Sequence, residues 1–148
     1  MSDLPYTTDV LRLAAEANGA GRLPPPCTSH TEHNPACGDR STVDLRIEDS
    51  RIAAFAHDTK ACVLTQASAS ILGAALPGRD GTELARLRED VSAMLKGGAA
   101  PSGPFARYGH LSEVARHAGR HRCVLLPIDA ALKAFEESET PKPGGQGT

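Results

Sequence analysis

The stretch Val43-Asp-Leu-Arg-Ile-Glu-Asp-Ser-Arg-Ile-Ala-Ala-Phe55 decides the fold class more clearly than any other part of the chain. Apolar and charged residues alternate from Val43 to Glu48, and apolar residues resume at Ile52 after a turn at Asp49-Ser50. A period of two places the apolar side chains on one face of a strand, and a polar turn between two such runs is typical of a hairpin. The stretch therefore predicts an antiparallel hairpin with one solvated face.

Helical patterns lie on both sides of this hairpin. Thr8-Asp9 is a suitable N-cap for a first helix, which we expect to end near Asn18-Gly19. Residues 21–35 contain three consecutive prolines and many polar side chains, and this composition predicts a loop. From Cys62 the chain is small and apolar on nearly all sides until Pro77-Gly78, which predicts a buried helix with Cys62 at its entrance.

The second half of the chain is predicted to be mainly helical. Asp80-Gly-Thr-Glu83 begins an amphipathic helix that continues until Gly97-Gly98. After a loop, residues 111–118 form a short helix, and a last helix runs from Cys123 through Phe135. Pro127 is expected within about the first turn of that helix, where its missing N–H costs little.

These elements predict an α+β fold in a single domain over residues 1–137, with about five helices. The full length of 148 residues agrees with one domain. Aromatic residues make up only 3% of the chain, so the core must be aliphatic and rich in alanine. The tail, residues 138–148, is rich in proline and glycine and is expected to be disordered.

Charge and hydropathy exclude two classes of partner. Sixteen basic and eighteen acidic residues give a formal charge of −2, without a basic stripe that would attract nucleic acid. No segment approaches the roughly 20 apolar residues that a membrane span needs, and the amino terminus does not resemble a secretion signal. We therefore expect a cytoplasmic protein that binds neither nucleic acid nor membrane.

Three of the four cysteines lie beside a tight turn or an apolar run, namely Cys37, Cys62 and Cys123. In a reducing compartment this favours thiolates for metal or redox chemistry over disulfides. The three residues are 25 and 61 positions apart, so only a folded domain could bring the sulfurs together. Cys27 lies in a proline-rich loop and is expected to be a spare thiol.

The residues around these cysteines suit a metal or cluster site. Gly38 lets the backbone turn so that Cys37 and Asp39 can face one point. Cys62 and Cys123 are both predicted near helix starts, where unpaired N–H groups stabilise thiolates. Three thiolates and a carboxylate suit Zn²⁺, and thiolates also suit iron–sulfur clusters. The cations that could offset their charge are Arg40, Lys60, Arg120 and Arg122.

Asn34-Pro-Ala-Cys-Gly-Asp39, followed by a cysteine before an Ala/Ser-rich helix and another before the last helix, resembles the NifU/IscU/SufU family of iron–sulfur cluster assembly scaffolds. The resemblance spans roughly residues 7–137. The long segment between Cys62 and Cys123, including Ala99 to Gly109, looks like the insertion of the SufU branch, and Arg120 looks like that branch's basic position. The chaperone motif Leu-Pro-Pro-Val-Lys of the IscU branch is absent, so an Hsp70-type partner is not expected.

The resemblance implies a fold and a site. It implies about three antiparallel strands packed by helices, and a scaffold or sulfur carrier more than a stand-alone enzyme. For the SufU branch it implies zinc held by Cys37, Asp39, Cys62 and Cys123, with Cys37 accepting sulfur as a persulfide. For the IscU branch it implies a transient [2Fe–2S] cluster on the same residues, with sulfur landing on Cys123. The implied partners are a cysteine desulfurase of SufS type and downstream assembly or acceptor proteins.

Other interpretations of the same residues remain open. His121 precedes the last cysteine closely enough to be an alternative ligand or a neighbour of the site. A purely structural zinc site is disfavoured by the carboxylate ligand Asp39. The triplet His30-Thr-Glu32 is half of the motif of zinc deaminases, but the Pro-Cys-x-x-Cys half is absent. After the scaffold and the zinc enzyme, a third functional class is a binding adaptor whose cysteines are incidental.

Overall fold

The hairpin predicted from the sequence forms the middle and one edge of a three-stranded sheet. The structure, a computed structural model, describes residues 6–35 and 38–139. Strands β1 (Thr28–Asn34), β2 (Asp39–Glu48) and β3 (Arg51–Lys60) pair antiparallel in that order. Asp49 and Ser50 connect β2 to β3 with φ of 54° and 64°, as the right-handed twist of a tight hairpin requires.

The helices pack mainly on one face of this sheet. They are α1 (Thr8–Glu16), α2 (Val63–Ala75), α3 (Gly81–Leu95) and α4 (His121–Glu139), and 3₁₀ segments at Gly103–Arg116 and Ala118–Arg120 connect α3 to α4. Strands β1 and β2 contact α4, and β3 contacts α2. The α+β class, the three antiparallel strands and the number of helices agree with the prediction.

Strand β1 corrects the prediction of a loop over residues 21–35. Its sequence, Thr-Ser-His-Thr-Glu-His-Asn, has no apolar alternation, so the pattern gave no strand signal. Its backbone nevertheless pairs along its full length with β2, from Thr28 opposite Leu45 to Asn34 opposite Asp39. Backbone hydrogen bonds to a neighbouring strand do not depend on side-chain hydrophobicity, and tertiary context overrides weak local preference here.

The helix boundaries differ from the prediction in small but informative ways. Thr7 caps α1 by accepting a hydrogen bond from the Val10 N–H, so the cap lies one residue before the predicted one. The short helix predicted at 111–118 is a 3₁₀ segment that already begins at Gly103. The capping box at the start of α3 is present as predicted, since Asp80 and Glu83 bond to each other's backbone N–H groups.

Helix α4 extends further in both directions than expected. It begins at His121, so Pro127 lies in its second turn, not the first, and cannot donate the usual helical bond to the Cys123 carbonyl. At the other end α4 includes Ser138 and Glu139, two residues of the predicted tail. The rest of that tail, residues 140–148, lies outside the described residues. Within the described part of the chain, no helix is both long and apolar enough to span a membrane.

Helix α2 is buried and rich in small residues, as predicted. Ser70 accepts hydrogen bonds at 3.1 Å from both the backbone and the side-chain nitrogen of Asn18, which fastens α2 to the end of α1. At Gly73 the two segments approach so closely that an added Cβ would lie 2.0 Å from the Asn18 carbonyl oxygen. Only glycine fits at this position.

One residue of the predicted solvated face is completely buried. Asp44 receives two hydrogen bonds from the Arg22 guanidinium, at 2.7 and 3.0 Å, and others from the Ser29 hydroxyl and the Leu23 N–H. Burial alone would raise the pKa of this carboxyl, but the Arg22 bonds, the other donors and the Arg22 charge outweigh it, and the pKa is lowered. Asp44 thus anchors the loop before β1 to the outer face of the sheet.

Replacing Gly73 by alanine should destabilise the protein, because the new Cβ cannot avoid the Asn18 carbonyl. We expect a loss of about 2 kcal/mol in the free energy of unfolding, since overpacking exceeds the gain in helix propensity. Urea denaturation measures it. Gly119→Ala is the matched control, because nothing lies within 4 Å of its added Cβ. Equal stability of the two variants would contradict the close approach.

Replacing Asp44 by asparagine should cost about 2 kcal/mol at pH 7, because the buried carboxylate that accepts hydrogen bonds from Arg22, Ser29 and Leu23 is lost. A lowered folded-state pKa contributes stability above the unfolded value of about 3.9 and loses it as pH falls through the folded value. The difference between parent and variant should therefore shrink between pH 5 and pH 2, as urea titrations at each pH would measure. Asp58→Asn, at a half-exposed aspartate paired with Lys60, is the matched control.

Candidate metal and sulfur site

Three elements begin at one end of the sheet and bring three ligand-type side chains together. Asp39 is the first residue of β2, Cys62 is the N-cap of α2, and Cys123 lies in the first turn of α4. Their ligand atoms all lie within 4.8 Å of one another, and the Cys123 Sγ is 3.9 Å from the Asp39 Oδ2. Among the described residues this is the group that could hold a metal ion.

The strand register explains why these residues meet. Arg40 lies directly opposite Lys60 at the end of β3, so Asp39 and the chain leading to Cys62 are at the same end of the sheet. Helix α4 packs on β1 and β2 and delivers Cys123 to the same place. Cys123 is almost completely buried and Asp39 is 9% exposed, whereas Cys62 is only partly buried. The cluster is therefore open to solvent on the side of Cys62.

Cys62 has the chemical character of a thiolate. Its pKa is lowered to about 5, chiefly by a hydrogen bond from the Cys123 thiol. The hydroxyl of Thr65, 3.6 Å away, and the N–H groups of Thr65 and Leu64 at the start of α2 contribute in the same direction, and burial opposes them. This agrees with the prediction that a helix N-terminus stabilises the sulfur.

One of the four predicted cations faces the sulfurs. The Arg120 guanidinium donates to the Tyr6 hydroxyl at 3.2 Å. Its pKa is raised by the neighbouring Tyr6 first and then by Cys62 and Cys123, while burial opposes them. Tyr6 had no signal in the sequence. Thr65 could be predicted from the sequence, because it is the third residue after the N-cap, and the backbone N–H at that position points toward the N-cap side chain.

The other predicted neighbours have partners elsewhere. Lys60 lies 3.5 Å from Asp58, and Arg40 is exposed on the strand beside it. Arg122 donates to the His33 carbonyl at 3.0 Å, away from the sulfurs. His121 places its Nε2 3.2 Å from the Ala115 carbonyl oxygen, and it is not part of the cluster. Of the basic and histidine neighbours considered, Arg120 alone has a described interaction with the sulfurs.

The turn before Asp39 is described only in part. Gly38 adopts a φ of +73° and donates its N–H to the Asn34 carbonyl at 2.9 Å, so the predicted need for glycine here has a conformational basis. Cys37, the predicted sulfur acceptor and fourth ligand, lies outside the described residues.

The remaining candidates lie apart from this cluster. Cys27 is half-buried, with its Sγ 3.9 Å from the Ser29 hydroxyl and 4.0 Å from the Leu23 carbonyl. His30 bridges Glu32 at 2.8 Å and Glu137 at 3.4 Å on the surface of β1 and α4. The His-x-Glu pair is therefore held in hydrogen bonds between β1 and α4, apart from the cysteines, and the zinc-deaminase interpretation gains no support from the geometry.

The donor set fits a tetrahedral metal ion. Zn–S bonds of about 2.3 Å imply ligand–ligand separations of about 3.8 Å in a tetrahedron. The separations of 3.9 Å and up to 4.8 Å need only a small contraction to reach that value. Two soft sulfurs and one hard oxygen are also compatible with iron, so the described ligands do not select one metal.

Comparison with known proteins gives one family. The sequence profile described as "NifU-like N terminal domain" matches residues 5–118. The chain is 24% identical over 136 residues to a protein of Thermotoga maritima named "Iron-sulfur cluster assembly scaffold protein IscU", covering 92% of this chain and 96% of that one.

Solved structures agree with this assignment. A NifU-like N-terminal protein of Brucella abortus superposes with a TM-score of 0.87 at 34% identity, covering 90% of this chain and 94% of that one. A protein of Fervidobacterium islandicum AW-1, described as a scaffold for the SUF system, superposes with a TM-score of 0.81 at 19% identity, covering 91% and 99%. The second likeness is one of fold.

Alkylation of the metal-free protein should reveal the Cys62 thiolate. We expect its rate of reaction with iodoacetamide, followed by peptide mass spectrometry, to be half-maximal near pH 5. Cys123→Ala should move this midpoint up toward the ordinary thiol value of about 8.5, because the main stabilising hydrogen bond is lost. Cys27→Ser should leave the profile unchanged. A midpoint near 8.5 in the parent would contradict the described geometry.

Proposed function

Because the chain belongs to the NifU-like N-terminal domain family, we propose that it acts in iron–sulfur cluster assembly, receiving sulfur and holding a metal ion or nascent cluster. The single observation that carries this proposal is the meeting of Asp39, Cys62 and Cys123 from three separate elements. A low-pKa sulfur beside a buried one and a carboxylate suits reversible binding of metal and sulfide. We propose a scaffold or sulfur-carrier role in the cytoplasm, more than that of a stand-alone enzyme.

We propose the SufU-type mechanism as the working form. Asp39, Cys62 and Cys123 would hold zinc together with Cys37, and the bound ion supplies a positive charge that keeps the sulfurs deprotonated. The Cys37 thiolate attacks the terminal sulfur of a persulfide on the desulfurase. A new S–S bond forms on Cys37, the old one breaks, and the desulfurase cysteine leaves as a thiolate. The position of Arg120 beside Cys62 supports this form, since a cation there favours an anionic sulfur.

The alternative is an IscU-type scaffold that assembles and releases a [2Fe–2S] cluster. One feature favours it: Asp39 is a hard oxygen donor in a sulfur-rich set and is the natural ligand to exchange when a cluster leaves. In this form Cys123 would be the sulfur acceptor. Both forms need a cysteine desulfurase, which we propose to be of SufS type, and downstream acceptor proteins.

The metal and acid-labile sulfide content of untagged protein purified without oxygen separates the two forms. About one zinc per chain without sulfide is the result expected for the sulfur carrier. Iron and sulfide in equal amounts would overturn that form in favour of the cluster scaffold. Protein with neither, which also fails to take up either when they are supplied, would overturn the proposed function itself.

Replacing Asp39 by alanine tests whether the carboxylate makes the site labile. We expect the variant to release its metal or cluster to a chelator more slowly than the parent, because the exchangeable ligand is gone. Asp58→Ala is the control, since Asp58 is a half-exposed aspartate paired with Lys60. Release from Asp39→Ala that is as fast as from the parent, or faster, would show that lability has another origin.

A further inference from the structure

The connection between α3 and α4 places one buried side chain against α2, the helix that carries the first sulfur. Tyr108, in the 3₁₀ segment Gly103–Arg116, is 0% exposed. Its hydroxyl lies 2.9 Å from the Ser68 Oγ and 3.1 Å from the Ser68 carbonyl oxygen. Ser68 belongs to α2, the helix whose N-cap is Cys62. A buried phenol needs such partners, so these bonds fix where the ring and its segment lie.

A further hydrogen bond connects Ser68 to α4, the helix of the second sulfur. The Ser68 hydroxyl donates at 2.7 Å to the carbonyl of Val124, the residue after Cys123. A carbonyl can only accept, so the one hydroxyl hydrogen of Ser68 is used there. The single Tyr108 hydrogen is then shared between the two oxygens of Ser68, its Oγ and its carbonyl oxygen. Burial raises the pKa of Tyr108, so its hydroxyl keeps its proton. These hydrogen bonds form a relay that runs in one direction, from Tyr108 through Ser68 to Val124.

We propose that Tyr108 is a positioning residue for the sulfur site. Through Ser68 it fixes α4 against α2 at Val124, and so sets the separation of Cys62 and Cys123. The inference rests on the proposed function, in which those two sulfurs bind the same metal ion or cluster. Tyr108 acts through Ser68 and Val124 and not on the bound group.

Directional bonds add to what apolar packing provides here. The core side chains of α2 and α4 are mainly aliphatic, among them Ala67, Ile71 and Ile128, and hydrophobic attraction has no preferred direction. A hydrogen bond weakens steeply with misalignment and therefore fixes both distance and rotation. Small shifts of α4 along its axis would carry Cys123 away from Cys62, and the relay opposes such shifts one residue from the sulfur.

Two variants and a matched control test the proposal. Tyr108→Phe keeps the ring and removes its hydroxyl, and Ser68→Ala removes the middle of the relay. Thr28→Val is the control, because the Thr28 hydroxyl donates at 2.9 Å to another α4 carbonyl, that of Ala134, at the far end of the helix. All three lose a hydroxyl, and the thermal midpoint of each is recorded.

Two readouts report on the site itself. The first is zinc affinity, measured by competition with a chromophoric chelator. The second needs no metal: a fluorogenic bromobimane that emits only after alkylating two thiols is applied to proteins in which Cys27 and Cys37 are serine. Its initial rate reports whether Cys62 and Cys123 stay within reach of each other.

We expect Tyr108→Phe and Ser68→Ala each to weaken zinc binding about tenfold and to slow cross-linking severalfold. The double variant should be little worse than either single one, because both interrupt the same relay. Thr28→Val should match the parent in both readouts, even where its thermal midpoint falls. If Tyr108→Phe does not fold, Ser68→Ala against Thr28→Val decides the same question.

A lowered thermal midpoint with unchanged affinity and cross-linking in both variants would show that the relay is only structural, and would overturn the proposal. Failure of the parent to bind zinc or iron is a different result. It would remove the proposed function, whereas the cross-linking rates would still show whether Tyr108 sets the separation of the sulfurs.

Discussion

The close approach of Cys62, Cys123 and Asp39 brings two helix starts to the end of one strand, and the polar groups around this point must stabilise the charge of a thiolate. A thiolate is stable at a half-buried position only if donors surround it, and α2 and α4 supply them at the end of the sheet where Asp39 also lies. Both helices pack on the same sheet, so the position of each sulfur is set by a helix and not by a loop.

Small residues make this approach of helices possible. Gly73 allows α2 to touch the end of α1 at Asn18, and the serines on α2 use their hydroxyls to fasten neighbouring segments. Ser70 holds α1, and Ser68 holds α4. The polar groups that small side chains bring into the core are thus satisfied by backbone groups of adjoining helices, which gives the packing a direction that apolar contact lacks.

Local chemistry made much of the fold predictable. The hairpin had a period of two, α2 was uniformly small and apolar, and α3 began with a capping box, so each was found from its own residues. Strand β1 was missed because it is polar and exists through pairing with β2. Asp44 was predicted to be solvated because the residues near it in the chain do not indicate a partner. Arg22, which bonds to it, lies 22 residues earlier in the loop before β1.

The sequence by itself determined the donor types of the site: thiols at helix starts, a carboxylate after a glycine turn, and cations close by. It also determined that folding must assemble them, since the cysteines are far apart in the chain. Only the tertiary structure decided that Asp39, Cys62 and Cys123 meet. It also decided that Arg120 interacts with the sulfurs, while Arg122 and His121 bond to backbone carbonyls elsewhere. The contact of Tyr108 with Ser68 is likewise a tertiary one. The reason is that side-chain direction depends on helix register and on contacts between distant segments, which local patterns do not encode.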